Sequence, residues 1–215
     1  MKSRSLYFAS AVLALGLAAS PALAITVDFT DAGPLPNYGA LPQTFGDSAS
    51  ADFAYQSLFG GNNWGQAATQ SNPNVLFWNG AYSNDDAIFA ANNGQKLEVA
   101  MTAGAGLKFT SVTFHLGSYP NVDRLIGFKL FDASWSEIAG NTSLLVTGAT
   151  GAVITLALNT SSIALQFGDD WDVGLGSVDF NTAPLSAVPV PGALLLLGSG
   201  LAGLAGLSRR RRKAA

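Results

Sequence analysis

The middle of the chain, from Ile25 to Ala187, alternates apolar and polar residues in short runs and shows no sustained 3.6-residue apolar period. Gly, Asn, Ser and Thr interrupt these runs at intervals that match the length of a strand. When apolar residues recur at every second position, their side chains share one face of a strand. An amphipathic helix instead needs apolar residues three and four positions apart. The pattern predicts an all-β fold, a single antiparallel, jelly-roll-like β-sandwich of roughly nine or ten strands over residues 25–181.

The predicted strands follow the alternating runs, and the segments between them are rich in turn residues. Residues 31–48 hold three prolines and three glycines and predict a loop, and residues 182–187 predict a short linker. The strands are expected at Ile25–Thr30, Val75–Trp78, Asp86–Ala90, Lys96–Thr102, Leu107–Leu116, Arg124–Phe131, Trp135–Ile138, Leu144–Thr147, Ala152–Leu158, Ile163–Phe167 and Val173–Phe180.

The first 24 residues have the three parts of a secretory signal peptide. A positively charged start precedes an apolar region of 12 residues, Leu6–Leu17. The small residues Ala22 and Ala24 then form a cleavage signature. Twelve residues are too few to cross a bilayer, which favours cleavage by signal peptidase over an uncleaved span. We expect the mature chain to begin at Ile25.

The other end of the chain, residues 188–213, has the pattern of a transmembrane helix with a basic tail. The uncharged apolar run Val188–Leu207 would reach about 30 Å as a helix, which is the thickness of the hydrocarbon core of a bilayer. Cations that follow a span stay on the cytoplasmic side, so the body is expected outside the cytoplasm. The basic cluster consists of Arg209, Arg210, Arg211, Arg212 and Lys213.

This tail resembles the C-terminal sorting signal of the PEP-CTERM proteins of Gram-negative bacteria, in the variant written Val-Pro-Leu-Pro-Ala. Val190 and Gly192 depart from the family pattern, which bears on the subgroup more than on the family. The body also resembles the β-sandwich exported domains that often precede such tails, in Ser111–Ser118, Ile126–Phe131 and Leu165–Phe180. The residues that carry the tail's resemblance are Val188, Pro189, Val190, Pro191 and Gly192, followed by the apolar run and the arginines.

The resemblance implies that an exosortase-type membrane peptidase recognises the Pro189/Pro191 segment and removes the tail near it. The protein would pass through the inner membrane and then reach the cell surface, the extracellular matrix or a biofilm. Two prolines hold the backbone extended and block helix propagation, which leaves an accessible strand-like site at the membrane face. The alternative is a permanent anchor, in which Gly198, Ala202 and Gly206 form a small-residue face for helix pairing.

Charge and cysteine content exclude several classes of function. Between the two terminal segments the chain has four basic residues against all 14 acidic ones, a net charge of −10. Such a body is repelled by nucleic acid and anionic lipid, which argues against a nucleic-acid partner. The chain has no cysteine, which excludes disulfides, thiol nucleophiles and thiolate metal sites.

The sequence predicts no catalytic residue, no cofactor and therefore no enzyme. His115 is the only histidine, and strand alternation places it on the solvent face opposite Val112 and Phe114. One histidine cannot build a multi-histidine zinc site, and no Gly-x-Ser-x-Gly elbow is present. A weak glycosidase or lyase would have to use the acidic clusters Asp85–Asp86 and Asp169–Asp172.

Two candidate binding sites remain, a structural calcium ion and an extracellular polysaccharide. Sandwiches often hold calcium where the first and last strands meet, so Asp28 and Asp179 are the expected ligands, with Asp169 or Asp172. Aromatic rings beside polar loops can stack on sugars, and the candidate glycan contacts are Trp64 and Tyr82. The other aromatic residues that could stack in this way are Trp78, Trp135, Trp171 and Tyr119. The sequence thus predicts an exported, non-enzymatic surface or matrix protein, with a carbohydrate-binding module as the alternative function.

The sorting hypothesis predicts the C-terminus of the mature protein. In cells with an active exosortase, mass spectrometry is expected to find a chain that ends near Pro191 and lacks the arginine cluster. Replacing Pro189 and Pro191 by alanine should leave the tail attached, because the extended segment that the peptidase would recognise is lost. An intact Arg209–Lys213 tail on the wild-type protein would sink the sorting hypothesis and favour the permanent anchor.

Overall fold

The computed structural model describes residues 23–32, 35–59, 63–68, 70–72, 74–168 and 171–185. These residues form thirteen strands and two short 3₁₀ turns, Phe29–Ala32 and Gly65–Ala67. In chain order the strands are β1 (Leu23–Asp28), β2 (Gly39–Ala40), β3 (Ala51–Phe59), β4 (Gln70–Asn72), β5 (Val75–Tyr82), β6 (Asp85–Ala90), β7 (Gln95–Ala103), β8 (Leu107–Ser118), β9 (Arg124–Asp132), β10 (Glu137–Val146), β11 (Ala152–Thr160), β12 (Ser162–Phe167) and β13 (Val173–Pro184).

The strands form two antiparallel sheets that pack face to face as a sandwich, as the alternating pattern predicts. Sheet A has the order β11-β8-β13-β6-β5-β2, and β1 pairs with β13. Sheet B has the order β10-β9-β12-β7-β3-β4. Most neighbours within a sheet are distant in sequence, so the chain crosses repeatedly between the sheets. The two edge strands β10 and β11 follow one another in the chain and border the same side of the sandwich.

The core lies between the inner faces of the two sheets and is made by alternate residues of the long strands. In sheet A, β8 contributes Val112 and Phe114, and β13 contributes Val178 and Phe180, all at most 1% exposed. Sheet B contributes equally buried residues from β7, β9 and β12. Phe180 packs with its ring centroid 5.9 Å from that of Phe53 and 5.7 Å from that of Phe109, which links both sheets.

The structure differs from the sequence prediction at several strands. Strand β3 was not predicted, although Phe53 and Tyr55 alternate inward. The two short pieces predicted around residues 135–147 form the single strand β10, which two register shifts interrupt. At Asp28, strand β1 ends two residues earlier than predicted, because the Asp28 carboxylate accepts hydrogen bonds from the backbone N–H and the hydroxyl of Thr30 and starts a turn.

The last strand is longer than predicted, because β13 continues through Pro184 into the predicted linker. Residues 182–184 pair with Phe109, Lys108 and Leu107 of β8. Ahead of the expected cleavage point, Leu23 and Ala24 pair with Thr182 and Asn181. Among the described residues the helical segments are the two short 3₁₀ turns, and neither could span a bilayer. The predicted span, sorting motif and most of the signal peptide lie outside the described residues.

Replacing Phe180 by alanine tests the role of this ring in joining the sheets. The change should lower the free energy of unfolding by about 3–5 kcal/mol, because a buried phenylalanine loses its transfer energy and leaves a cavity. Chemical denaturation followed by circular dichroism measures the effect. Phe59→Ala is the matched control. Because Phe59 is 55% exposed, this change should lower the free energy of unfolding only slightly. Equal effects of the two changes would contradict the placement of Phe180 in the core.

Candidate functional site

Six aromatic side chains form a second cluster outside the main core, on the outer face of sheet A at β5 and β6. Alternation on these two strands sends Phe77 and Ile88 inward, and Trp78 and Phe89 outward. An outward face of a soluble protein is usually polar, so an aromatic outer face needs a specific explanation. The members of this aromatic cluster are Tyr38, Trp78, Tyr82, Phe89, Tyr119 and Trp171.

The six rings contact one another in a continuous chain. Tyr82 is 1% exposed and stacks on Phe89 at 5.7 Å, so these two rings form the floor of the cluster. Tyr119 contacts Tyr82 at 5.4 Å and Trp171 at 4.9 Å. Trp78 contacts Tyr119 at 5.5 Å. The rings above the floor are thereby held in fixed orientations by neighbouring rings.

Tyr38 extends the aromatic cluster into solvent and is 58% exposed. Its ring meets that of Trp78 edge-on at 4.7 Å. The backbone there is left-handed with a φ of 62°, a conformation that costs a non-glycine residue free energy and is concentrated at functional sites. Hydrogen bonds from Tyr38 N to Phe77 O (2.8 Å) and from Asn79 N to the Asn37 side chain (2.8 Å) hold the turn against β5.

Trp171 lies just before β13 and is positioned by its backbone neighbours. The Tyr82 hydroxyl donates a hydrogen bond to Trp171 O at 2.6 Å. The next residue, Asp172, is held at two points. Its backbone oxygen accepts a hydrogen bond from Tyr119 N at 2.8 Å, and its carboxylate pairs with Arg124 at 2.9 Å. The indole is therefore held at the rim of the cluster, where it is half-buried. Tyr82 acts here as a support beneath the surface.

Between Tyr38 and Trp171 the surface forms an open groove of about 510 Å³. We call it the aromatic groove. Its volume lies within the range of small-molecule pockets, and it combines apolar rings with amide side chains that both donate and accept hydrogen bonds. No carboxylate or imidazole occurs among the described residues that line it. They are Tyr38, Phe89, Ala91, Asn92, Asn93 and Trp171.

The two residues that the sequence singled out as glycan contacts lie on different sheets. Tyr82 is buried beneath the aromatic groove. Trp64 lies on the outer face of sheet B, where the Lys96 ammonium is 4.4 Å from its ring centroid and Gly127 lies under the ring edge. The sequence placed Trp171 among the aromatic residues that could stack on sugars without selecting it as a contact, and it did not point to Tyr38. The Asn92-Asn93-Gly94 turn beside them was a visible signal of a polar loop.

The outer face of sheet B carries a buried polar network. Gln166 donates to the Glu98 carboxylate at 2.6 Å, and Gln56 donates to its other oxygen. Gly65 N donates to the Gln166 side chain at 2.8 Å and Gly65 O accepts from it at 3.3 Å. These bonds fasten the turn that carries Trp64 onto the sheet. Because its oxygens accept hydrogen bonds, Glu98 has a structural explanation for its burial.

The expected calcium ligands Asp28 and Asp179 lie on the same outer face of sheet A, on adjacent strands. Each carboxylate already has protein partners. Asp179 accepts from the Thr26 hydroxyl at 2.5 Å and contacts His115 Nε2 at 2.8 Å, while Asp28 accepts from Thr30. No group of three or more acidic or histidine side chains that could hold a metal occurs among the described residues. Asp169 lies outside them, and the calcium site stays a prediction.

His115 and the acid pair of β6 lie near this face. His115 is on the outer side of β8, as alternation predicts, and its side chain is 41% exposed. At Asp86, burial raises the pKa, a hydrogen bond from the Gly80 backbone lowers it, and the carboxylates of Asp85 and Asp28 raise it further. Asn79 donates to the same Asp86 carboxylate at 3.2 Å. These acids lie apart from the aromatic groove.

Comparisons with known proteins gave no family model and no curated protein that matches the chain. Among solved structures, the chain is similar to a family 32 carbohydrate-binding module from C. perfringens NanJ in complex with galactose, at 11% identity and a TM-score of 0.31, covering 74% of this chain and 93% of that one. It is similar to a fucose-binding module of Streptococcus pneumoniae at 15% identity and a TM-score of 0.32, covering 67% and 97%.

A third similar structure is an exo-beta-1,3-galactanase from Phanerochaete chrysosporium, at 12% identity and a TM-score of 0.33, with 62% of this chain and 29% of that chain covered. At such identities and TM-scores these similarities establish neither a shared ligand nor a shared reaction. The two antiparallel sheets of the chain itself define its fold.

Removing the Tyr82 hydroxyl tests how Trp171 is held. Tyr82→Phe should lower the free energy of unfolding by about 0.5–1.5 kcal/mol and speed hydrogen exchange at the Trp171 amide, because the bond to Trp171 O is lost. Tyr55→Phe is the matched control: its buried hydroxyl donates to Phe45 O at 2.8 Å in the core. The control should destabilise similarly without changing exchange at Trp171. Equal exchange at Trp171 in both variants would contradict the anchoring role.

Proposed function

We propose that this protein is an exported, non-catalytic carbohydrate-binding β-sandwich that contacts a neutral polysaccharide through the aromatic groove. The observation that carries the proposal is one groove that combines the exposed ring of Tyr38 and the half-buried ring of Trp171 with the amides of Asn92 and Asn93. Tyr38 replaces Tyr82 as the tyrosine expected to touch the sugar.

The chemistry of a sugar ring matches this surface. A pyranose presents apolar C–H groups on its faces and hydroxyl groups around its rim. The faces can pack on aromatic rings, and the hydroxyls need partners that donate and accept, which amide side chains supply. The rings are also fixed in advance by the aromatic cluster, so little conformational entropy is lost when a ligand binds.

Charge decides between neutral and acidic polysaccharides. The body has a net charge of −10, so an anionic polymer would be repelled over its surface. No charged residue occurs among the described residues that line the groove, so a neutral sugar meets no unpaired charge there. These features support neutral hexose or pentose polymers as the ligand class.

The absence of catalysis is proposed from the chemistry of the groove and of the acids elsewhere. Glycoside hydrolysis needs two carboxyl groups that flank the bond to be cleaved. The described lining of the groove supplies amides and rings, and Asp172, next to the groove, is paired with Arg124. Binding without hydrolysis is the function that this arrangement supports.

Location is the second part of the proposal and rests on the two terminal segments. The signal peptide would bring the body across the inner membrane, with signal peptidase as the first partner. An exosortase-type peptidase would then release or transfer it to the cell surface or the matrix. A polysaccharide-binding body would hold such a protein in an extracellular matrix after the tail is removed.

Affinity electrophoresis against neutral polysaccharides, preceded by a glycan array to choose them, tests the binding site. Tyr38→Ala and Trp171→Ala should each weaken binding about tenfold or more, since removing a central aromatic contact costs about 1–2 kcal/mol. Removing Trp171 also disturbs the aromatic cluster, because its ring contacts Tyr119. The variants Asn92→Ala and Asn93→Ala leave the aromatic cluster intact. They should weaken binding as well.

Trp64→Ala is the control, because it removes an indole from the opposite sheet. Unchanged binding in this variant and reduced binding in Tyr38→Ala would support the aromatic groove as the site. Reduced binding in Trp64→Ala together with full binding in Tyr38→Ala would move the site to sheet B. A wild-type protein that binds no glycan would overturn the proposal.

A further inference from the structure

Strand β11 is the free edge of sheet A on the side away from the aromatic groove. It pairs with β8 and has no neighbour on its other side among the described strands. About half of its backbone N–H and C=O groups therefore point out of the sheet. An edge of this kind is a template for another strand unless it is short, charged, bulged or covered.

This edge lacks the usual protective features. Its sequence, Ala-Val-Ile-Thr-Leu-Ala-Leu-Asn-Thr, contains no charge and no proline. Its register with β8 is regular from Ala152 to Ala157, and the irregularity follows Ala157. Val153 is 57% exposed on the outer face. Six consecutive residues are thus available as a straight, uncharged strand.

The lack of charge extends beyond β11. No residue from Ile138 to Gly168 is charged, although the body as a whole carries a net charge of −10. Like charge keeps two copies of such a body apart over most of the surface. Residues 138–168, which hold β11 and most of β10, add nothing to this repulsion, and apolar side chains such as Leu145 (48% exposed) reach solvent there.

The other edges are unsuited to pairing. β10, the neighbouring edge of sheet B, is interrupted by two register shifts, and shifts of this kind twist an edge away from a partner. At the opposite edges of the two sheets, β2 has 2 residues and β4 has 3. Strand β1 also pairs on one side only, with β13, but it has 6 residues and ends on the charged Asp28. Within the described part of the chain, β11, with 9 residues and no charge, is the longest regular edge of this kind.

We propose that β11 pairs antiparallel with β11 of a second copy of this chain, which joins the two A sheets into one continuous sheet. Residues opposite each other in a ladder point to the same face of the sheet. The pairing must therefore set outward-facing residues of one β11 against outward-facing residues of the other, and inward-facing against inward-facing. In a two-fold arrangement one residue then faces its own copy. Thr155, at the middle of Ala152–Leu158, gives the longest ladder.

This register also matches the side chains. Val153 faces Ala157 of the second copy on the outer face, and Ile154 faces Leu156 on the inner face. Ile154 and Leu156 already contact the core of their own subunit, so the pairing continues the two cores across the interface. Thr155, which lies 3.1 Å from the Thr113 hydroxyl, meets Thr155, a favourable cross-strand pair.

A second copy fits this edge better than an unrelated peptide, because the pattern is self-complementary about Thr155. A symmetric contact of this kind is closed, so it gives a dimer in which each β11 edge is covered by the other. The aromatic groove lies near β6 and β5, which are three and four strand spacings from β11, or about 14 and 19 Å. The dimer is therefore independent of glycan binding and leaves both grooves open.

Single cysteines test the register, because the chain contains no other cysteine. Three variants of the full-length chain, Thr155→Cys, Val153→Cys and Phe59→Cys, are each oxidised. Mild detergent keeps the apolar termini in solution. Thr155→Cys should form a disulfide-linked dimer, since facing strand residues have suitable Cα separations. At position 153 the two sulfurs would be about 13 Å apart along the strands, too far to bond. Phe59 lies on β3 of sheet B, four strand spacings from the β10 edge of that sheet.

The expected result is at least tenfold faster cross-linking for Thr155→Cys than for the other two variants. Sedimentation of the unmodified chain should give a dimer, and Val153→Lys should convert it to a monomer while Phe59→Lys should not. Circular dichroism checks that each variant is folded. Similar cross-linking at positions 155 and 59 would overturn the proposal, and so would a sedimentation mass that Val153→Lys leaves unchanged. A monomeric chain that captures a different partner would also overturn it.

Discussion

Strand β13 pairs with three other strands, and most of the molecule depends on this pairing. On one side it forms a ladder with β8 from Val173 to Pro184. On the other side it meets β6 at Leu175 and β1 from Ser177 onward. Through these partners the first and last strands of the described chain are joined in the middle of sheet A. The inner face of β13 supplies Val178 and Phe180 to the core.

The same strand fixes the aromatic groove. Trp171 comes two residues before β13 begins, so the start of this ladder determines where the indole lies. From the other direction, β5 and β6 bring Trp78, Tyr82 and Phe89 to the outer face of the sheet. A surface built on paired strands is rigid, which suits binding by packing against a sugar face. The left-handed Tyr38, held by hydrogen bonds to β5, completes this arrangement.

Much of the fold could be predicted because alternation records which side chains face the core. Leu97, Val99 and Met101 gave β7 in this way, and Val112 and Phe114 gave β8. Strand β3 was missed because its sequence includes Ser57, a buried polar residue that bonds Asn74 O at 3.2 Å. A buried serine breaks the apolar pattern, and its explanation lies in a partner outside β3, the backbone of the loop between β4 and β5. The bulges of β10 were read as gaps between strands for a similar reason.

The sequence by itself determined that the body is an acidic, cysteine-free all-β domain between two apolar terminal segments. These properties follow from composition and local periodicity, which need no knowledge of partners. Tertiary structure alone decided which aromatic residues share a surface. Tyr38 and Trp171 are separated by more than half of the chain, and β5, β6 and β13 bring them together through pairings between distant segments. It also buried Tyr82 and left β11 as an open, uncharged edge, because exposure depends on which neighbour a strand finds in the sheet.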